Sequence, residues 1–321
     1  MEVEQVTVAT VTRGRPGALR NLLSSLARAG GVDLAKVVIV DDSSVEHDPR
    51  EEFPSLPIDY VHVPSRLYIS RAKNLALTRV ASELVFFIDD DNLVPPDALA
   101  IITRDIGADR AIGALMPSVL YARRPDLVWV YSCPFRRDRW DFELVGRNHP
   151  RNPSLEGRFL PTDALPNASL FRTDPLLRVG GFQERLPVNS SAELCRRLKL
   201  EGLSVLADSR VLLFHDVEPP GCPGYWAQHA VDPDRVYHEV ADWMLFRRAL
   251  HPELRPSNWR FVYHSIPFLT GTALGLILRG QRPLFPPIRA MASGYWRGLH
   301  DASLPERPPP IGGAVGAAHR A

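Results

Sequence analysis

An α/β fold, a central sheet flanked by helices, is predicted from three observations. Short apolar runs at 6–11, 37–40 and 84–88 alternate with stretches whose leucines and alanines recur at helical spacing. The first two runs end in polar groups. The third, LVFFIDDDNLVPP over 84–96, carries three consecutive carboxylates, Asp89, Asp90 and Asp91, where a buried strand stops. In an open α/β sheet the carboxyl ends of the strands are where ligands bind. Three like charges at one tip repel and are costly to desolvate, and a hard divalent cation relieves both penalties. A metal and phosphate site is therefore expected here; a charged surface turn is the bland alternative.

Taken in order, 6–11 is the first strand, and TRGRPG at 12–17 is a turn. Residues 18–29 form a helix with Leu19, Leu22, Leu23 and Leu26 on one face, Pro16 near its start and Gly30-Gly31 at its end. A second strand at 37–40 ends in Asp41-Asp42-Ser43-Ser44. The unit lacks GxGxxG after the first strand and lacks GxxxxGK[ST], which disfavours a dinucleotide fold and a P-loop. A strand at 58–63 and a helix at 70–80 follow. Arg71 and Lys73 lie in that helix's first turns, where the helix dipole does not favour cations, so a ligand anion or plain solvation are the two readings. After the acidic strand come a helix at 96–105, strands at 111–121 and 127–131, and a long loop at 136–160. The aromatics of that loop, Phe135, Trp140, Phe142 and Phe159, are a candidate acceptor platform or simple anchors. A strand at 165–172 precedes Gly180-Gly181-Phe182, and short strands at 205–206 and 211–214 lead to His215.

The totals bound the rest. The 321 residues suffice for one large α/β domain or two modest ones, and 45% hydrophobic with 23% charged residues is ordinary for a folded chain. Thirty-eight basic against 37 acidic residues leave a net charge of +1, so no bulk field for nucleic acid is expected. Cys133, Cys195 and Cys222 form no close pair, which argues against a disulfide scaffold. The N-terminal stretch has no basic region followed by an apolar core, and a cytoplasmic protein is expected.

VTVATVTRGRPGALRNLLSSL, VVIVDDSS, ISRAKNLALTRVASELVFFIDDDNLVPPDAL and LFRTDPLLRVGGFQE occur in an order and spacing that resemble the family-2 glycosyltransferases of the GT-A fold. The resemblance implies a Rossmann-like mixed central sheet, flanked by helices, that holds a nucleoside diphosphate sugar. It implies that Asp41 or Asp42 contacts the base, that Thr10, Thr12 and Arg13 line the same pocket, and that Arg71 and Asn74 close over the nucleotide. Asp89, Asp90 and Asp91 carry the DxD motif, which holds Mn2+ or Mg2+ on the diphosphate. Asp91, His215 and Asp89 are the implied metal ligands, His215 because a histidine after this apolar strand commonly completes the metal site in the family. The donor class stays open among UDP-, GDP- and dTDP-sugars.

The chain departs from the family pattern where an acidic pair is expected after GGF-[DE]. Ser190 and Ser191 stand there, while Leu194 and Arg197 keep register. A serine is a poor general base at neutral pH without an activator. Glu193, Glu184 and Asp163 are the candidate replacements, with His149 as a further candidate. An acceptor needing little deprotonation, or a retaining course assisted by the leaving phosphate, are the alternatives.

The expected organisation is a catalytic domain over 1–230, with a nucleotide half at 1–110 and an acceptor half at 111–230. A helical C-terminal extension follows at 231–300, then a disordered tail at 301–321. A lid is expected within 217–228. Residues 261–278 run without a full charge between Arg260 and Arg279, a length marginal for a bilayer span and interrupted by Pro267 and Gly271. Residues 257–299 are thus a candidate packed hairpin, homodimer contact, peripheral membrane contact or span. The function expected is metal-dependent, inverting sugar transfer to an acceptor. A nucleotidyltransferase of similar shape and a non-catalytic sugar-nucleotide binding protein are the rivals.

Overall fold

The computed structural model describes residues 5–136, 141–222, 232–250, eight positions between 263 and 277, and 285–300. Trp140, the second half of the expected lid (223–228) and the tail at 301–321 lie outside the described residues.

The first half alternates strand and helix as its periodicity predicts. β1 (Gln5–Thr12), α1 (Pro16–Leu26), β2 (Asp33–Asp41), β3 (Ile58–His62), α2 (Tyr68–Leu77), β4 (Leu84–Ile88), β5 (Asn92–Leu93) and α3 (Ala98–Gly107) follow one another. Pro16 opens α1, where its missing N–H is harmless, and Leu19, Leu22, Leu23 and Leu26 are buried. β4 is buried at all five positions, which explains a run of five apolar residues without alternation.

The second half supplies β6 (Ile112–Tyr121), β7 (Arg124–Val130), β8 (Phe135–Arg136), β9 (Asp141–Phe142), β10 (Phe159–Pro161), β11 (Ala168–Arg172), α4 (Thr173–Arg178), α5 (Ser191–Leu200) and β12 (Ser204–His215). One sheet runs β10-β12-β6-β11-β4-β1-β2-β3, with β5 on β12 and β7 on β6. β4, β1, β2 and β3 are mutually parallel; β11 is antiparallel to both β4 and β6. This is the mixed sheet expected.

Two expectations are corrected. The short strands at 205–206 and 211–214 are one strand, β12, whose register on β6 jumps between Asp208 and Leu212. The polar residues that suggested a break close a bulge instead: Asp208 accepts from the Arg210 backbone at 3.1 Å and from Arg210 Nε at 2.8 Å. Among the described residues, the aromatics of 135–159 form no shared platform. Phe135 packs on Phe142 at 5.2 Å, Phe142 on Phe246 at 5.5 Å, and Phe159 lies under Arg210 at 4.0 Å. These rings anchor a hairpin and the bulge.

Beyond the sheet, α6 (Pro233–Leu250) buries Val236, Val240, Trp243 and Met244 against Leu269 and against α7 (Phe285–His300). Gly294 and Gly298 lie one helical turn apart on α7. A Cβ at Gly294 would strike the Tyr237 carbonyl and one at Gly298 the Met244 side chain. Their lack of side chains is what lets the two helices meet.

Candidate active site

The acids sit on a tight turn between β4 and β5, closed by Asn92 N–H donating to the Asp89 carbonyl at 3.3 Å. A turn sends consecutive side chains in different directions, so the three carboxylates have three environments. Asp90 is wholly buried, accepts from Thr12 Oγ1 at 2.6 Å and pairs with Arg15. Burial pushes its titration up to about 7, against the pull of Arg15. Asp91 binds Arg15 at 2.7 Å through Oδ2 and lies 3.2 Å from His215 Nε2 through Oδ1. Burial raises this carboxyl, but His215 and Arg15 outweigh it and hold Asp91 well below the usual carboxylate range. Asp89 turns away, with 43% of its side chain exposed, and faces Lys73 at 4.0 Å.

Strand register brings His215 to Asp91. His215 pairs with Asn92 across β12 and β5, and Asp216 N–H donates to the Asp91 carbonyl at 2.8 Å. The ring packs edge-on against Trp129 at 4.9 Å, and Arg147 stacks on Trp129 at 4.5 Å. His215 Nδ1 is buried without a partner.

The Asp91–His215 pair fits a divalent cation, because two donors about 2.1 Å from an octahedral metal lie about 3 Å apart. Among the described residues no three His, Cys, Asp or Glu side chains converge on one point. The turn points Asp89 at Lys73 rather than toward the Asp91–His215 pair.

Next to the acids lies the cradle formed by the ends of β1, β2 and β3. Asp41 is occupied within the chain, accepting from Ser43 N–H at 2.9 Å and from Tyr60 Oη at 2.8 Å. Asp42 accepts from Leu67 N–H at 2.8 Å and has the Arg13 guanidinium at 3.8 Å, with Arg13 also donating to its carbonyl. Of the two acids Asp42 has the opening toward Arg13, which is 45% exposed. Thr12 is committed to Asp90, and Thr10 Oγ1 is buried without a partner. Just beyond Leu67, Tyr68 holds φ at +61°, a strained value for an aromatic residue.

Arg71 is exposed, and Lys73 takes the place at the acids, 5.8 and 5.6 Å from the Phe87 and Phe182 ring centres. Asn74 is engaged within the chain. Its side chain donates to the Phe182 carbonyl and accepts from Phe182 N–H, both at 2.8 Å, and donates to Glu184 at 3.0 Å. It clamps the glycine turn, where Gly180 and Gly181 adopt φ of +87° and +65°.

The candidate bases differ in freedom. Glu193 is buried and gripped on both oxygens by Arg197 at 2.7 Å, while Arg197 also donates to the Val179 and Gly181 carbonyls. That carboxylate holds the glycine turn in place and has no free oxygen for an acceptor proton. Asp163 pairs with Lys199 at 2.5 Å and accepts from Phe135 N–H at 2.8 Å. Glu184 is exposed and meets the neutral amide of Asn74. Where the acidic pair was expected, Ser190 bonds Ser70 hydroxyl to hydroxyl at 2.7 Å.

Sequence reasoning missed Arg15, the counter-charge of Asp90 and Asp91, and Asp242 on α6. Asp242 Oδ2 accepts from Val188 and Asn189 N–H at 2.7 and 3.0 Å, just ahead of the two serines, while Oδ1 is buried and unpartnered. An acidic residue in a helix read only for its apolar face gave no cue to either contact.

A central mixed sheet flanked by helices is the fold of the GT-A glycosyltransferases. Residues 7–163 match the glycosyl transferase family 2 model. A mannosyltransferase from Pyrobaculum calidifontis, solved in complex with GDP-Man and Mn2+, shares this fold, with a TM-score of 0.54 and 18% identity over 94% of this chain and 89% of that one. An N-acetylglucosaminyltransferase of Mesorhizobium japonicum is 27% identical over 116 residues, 35% of this chain and 27% of its own length. A pre-mycofactocin glycosyltransferase of Mycobacterium tuberculosis is 23% identical over 218 residues, 66% of this chain and 42% of its own. The match spans less than half the length of each of these two curated relatives.

Proposed function

We propose that this protein transfers a sugar from a nucleoside diphosphate sugar to an acceptor nucleophile, with inversion at the anomeric carbon. The observation that carries the reading is the Asp91–His215 pair, 3.2 Å apart beside the Asp42 cradle. Asp42 and Arg13 bind the base, and Leu67 N–H fixes the Asp42 carboxylate that receives it. Mn2+ or Mg2+ held by Asp91 and His215 would stabilise the charge that develops on the departing diphosphate. Lys73, held over two aromatic rings, adds a second positive contact to that diphosphate. Arg15 keeps Asp90 and Asp91 balanced until the donor arrives.

The acceptor's proton goes to Glu184, which is exposed at the glycine turn and pairs with a neutral amide, whereas Glu193 and Asp163 each hold a cation. The three cysteines are free, two of them buried, which suits the cytoplasm.

A thermal-shift screen of UDP-, GDP- and dTDP-sugars with and without Mn2+ tests the reading, because a ligand that binds the folded state raises its melting temperature. One donor class should stabilise the protein, and more so with metal. Stabilisation by a nucleoside triphosphate with pyrophosphate release would instead support the nucleotidyltransferase. Donor binding with neither transfer nor hydrolysis would support a binding protein, the reading that Ser190 and Ser191 favour.

A further inference from the structure

Seven of the ten large apolar side chains that stand exposed among the described residues fall between 263 and 296. Tyr263, Ile266, Leu274 and Ile277 are 49–65% exposed. With exposed Thr270 they follow intervals of three and four, one stripe of a helix. The other side of that segment faces inward, where Leu269 packs on the Val236 cluster of α6. α7 repeats the arrangement. Pro287, Gly294 and Gly298 are buried, while Phe285, Ile288 and Trp296 stand 73%, 39% and 65% exposed, with Arg289 exposed between them. Ordinary folded chains scatter such residues singly, and a concentration of this kind marks a contact surface.

Charge selects the partner. Residues 254–300 contain six arginines, two histidines and no aspartate or glutamate, in a chain otherwise balanced between 38 basic and 37 acidic residues. A second copy docking through the same segment would set one uncompensated basic stretch against another. An anionic lipid surface matches both properties: apolar side chains enter the acyl boundary and arginines meet the phosphates. No helix among the described residues is long and apolar enough to cross a membrane.

We propose that the exposed stripes of 263–277 and 285–296 dock this protein on an anionic lipid bilayer. The inference stands independently of the transferase reading. Flotation of the full chain with vesicles tests it, using phosphatidylcholine alone and phosphatidylcholine mixed with phosphatidylglycerol. Binding should appear with the mixed vesicles, weaken in high salt, and fall about tenfold for Leu274→Glu with Ile277→Glu, and again for Phe285→Glu with Trp296→Glu. All four side chains are exposed, so melting temperature and donor-induced stabilisation should stay at the parent value, which separates this result from a failure of the transferase reading. Absence of binding to the mixed vesicles, or undiminished binding by both double variants, overturns the proposal. A dimer in light scattering that the same substitutions disperse would overturn it in favour of a second copy.

Discussion

At the residue scale, the site is decided by which carboxylates are free and which are spoken for. Glu193 and Arg197 form a buried pair with both carboxylate oxygens engaged and the guanidinium reaching two further carbonyls. Removing one partner of such a pair leaves the other charge uncompensated, a loss of about 3–5 kcal/mol. Glu193→Gln should therefore lower the melting temperature sharply, and activity should decline only as the folded fraction does. Glu184→Gln should do the reverse: kcat falls by about two to four orders of magnitude, the range for a lost general base, while melting and donor affinity stay unchanged. His215→Ala should remove the metal-dependent part of donor stabilisation and leave the metal-independent part, checked in the same thermal-shift format.

At the element scale, much was legible, because buried strands and amphipathic helices announce themselves through periodicity. β4 and its acidic turn stand out as an apolar run and a charge cluster, and the alternation before it gives the parallel half of the sheet. What the sequence concealed was phase and partner. α2 begins at Tyr68, so Ser70, Lys73, Asn74 and Leu77 share one stripe and Arg71 points elsewhere. A basic residue two positions away was the one delivered to the acids. The glycines of α7 were likewise silent, since their role exists only against α6. Gly298→Leu would drive a side chain into Met244. Overpacking of this kind costs about 1–3 kcal/mol, and helices that cannot separate freely lose more. The variant should show a lower or split thermal transition, with the donor-dependent shift of the sheet domain retained.

At the scale of the whole molecule, α6 lies outside the segment matched to the family and is tied, with the residue before it, into the sheet domain at several points. Arg66 pairs with Asp232, Trp243 Nε1 donates to Asp141 at 3.3 Å, and Phe246 packs on Phe142. Asp242 is the most buried of these ties, holding the chain at Val188 and Asn189. Burial pushes its carboxyl up to about 7, against the pull of the two backbone N–H groups and of Arg297, with Glu239 adding to the rise. In the unfolded chain an aspartate titrates near 3.8. Between about pH 4 and pH 7 the unfolded state has lost this proton while the folded state keeps it, so stability falls as pH rises through that window and levels off above it. The full effect is at most about 4 kcal/mol, since each pH unit carries about 1.4 kcal/mol. Asp242→Asn cannot ionise and should flatten this descent: measured by denaturant melts at pH 5 and pH 8, its stability should change less between the two than that of the parent. A parent whose stability rises from pH 5 to pH 8 by the same amount as the variant's would show that Asp242 is ionised throughout, and that its two N–H partners and Arg297 suffice to hold the charge inside the protein.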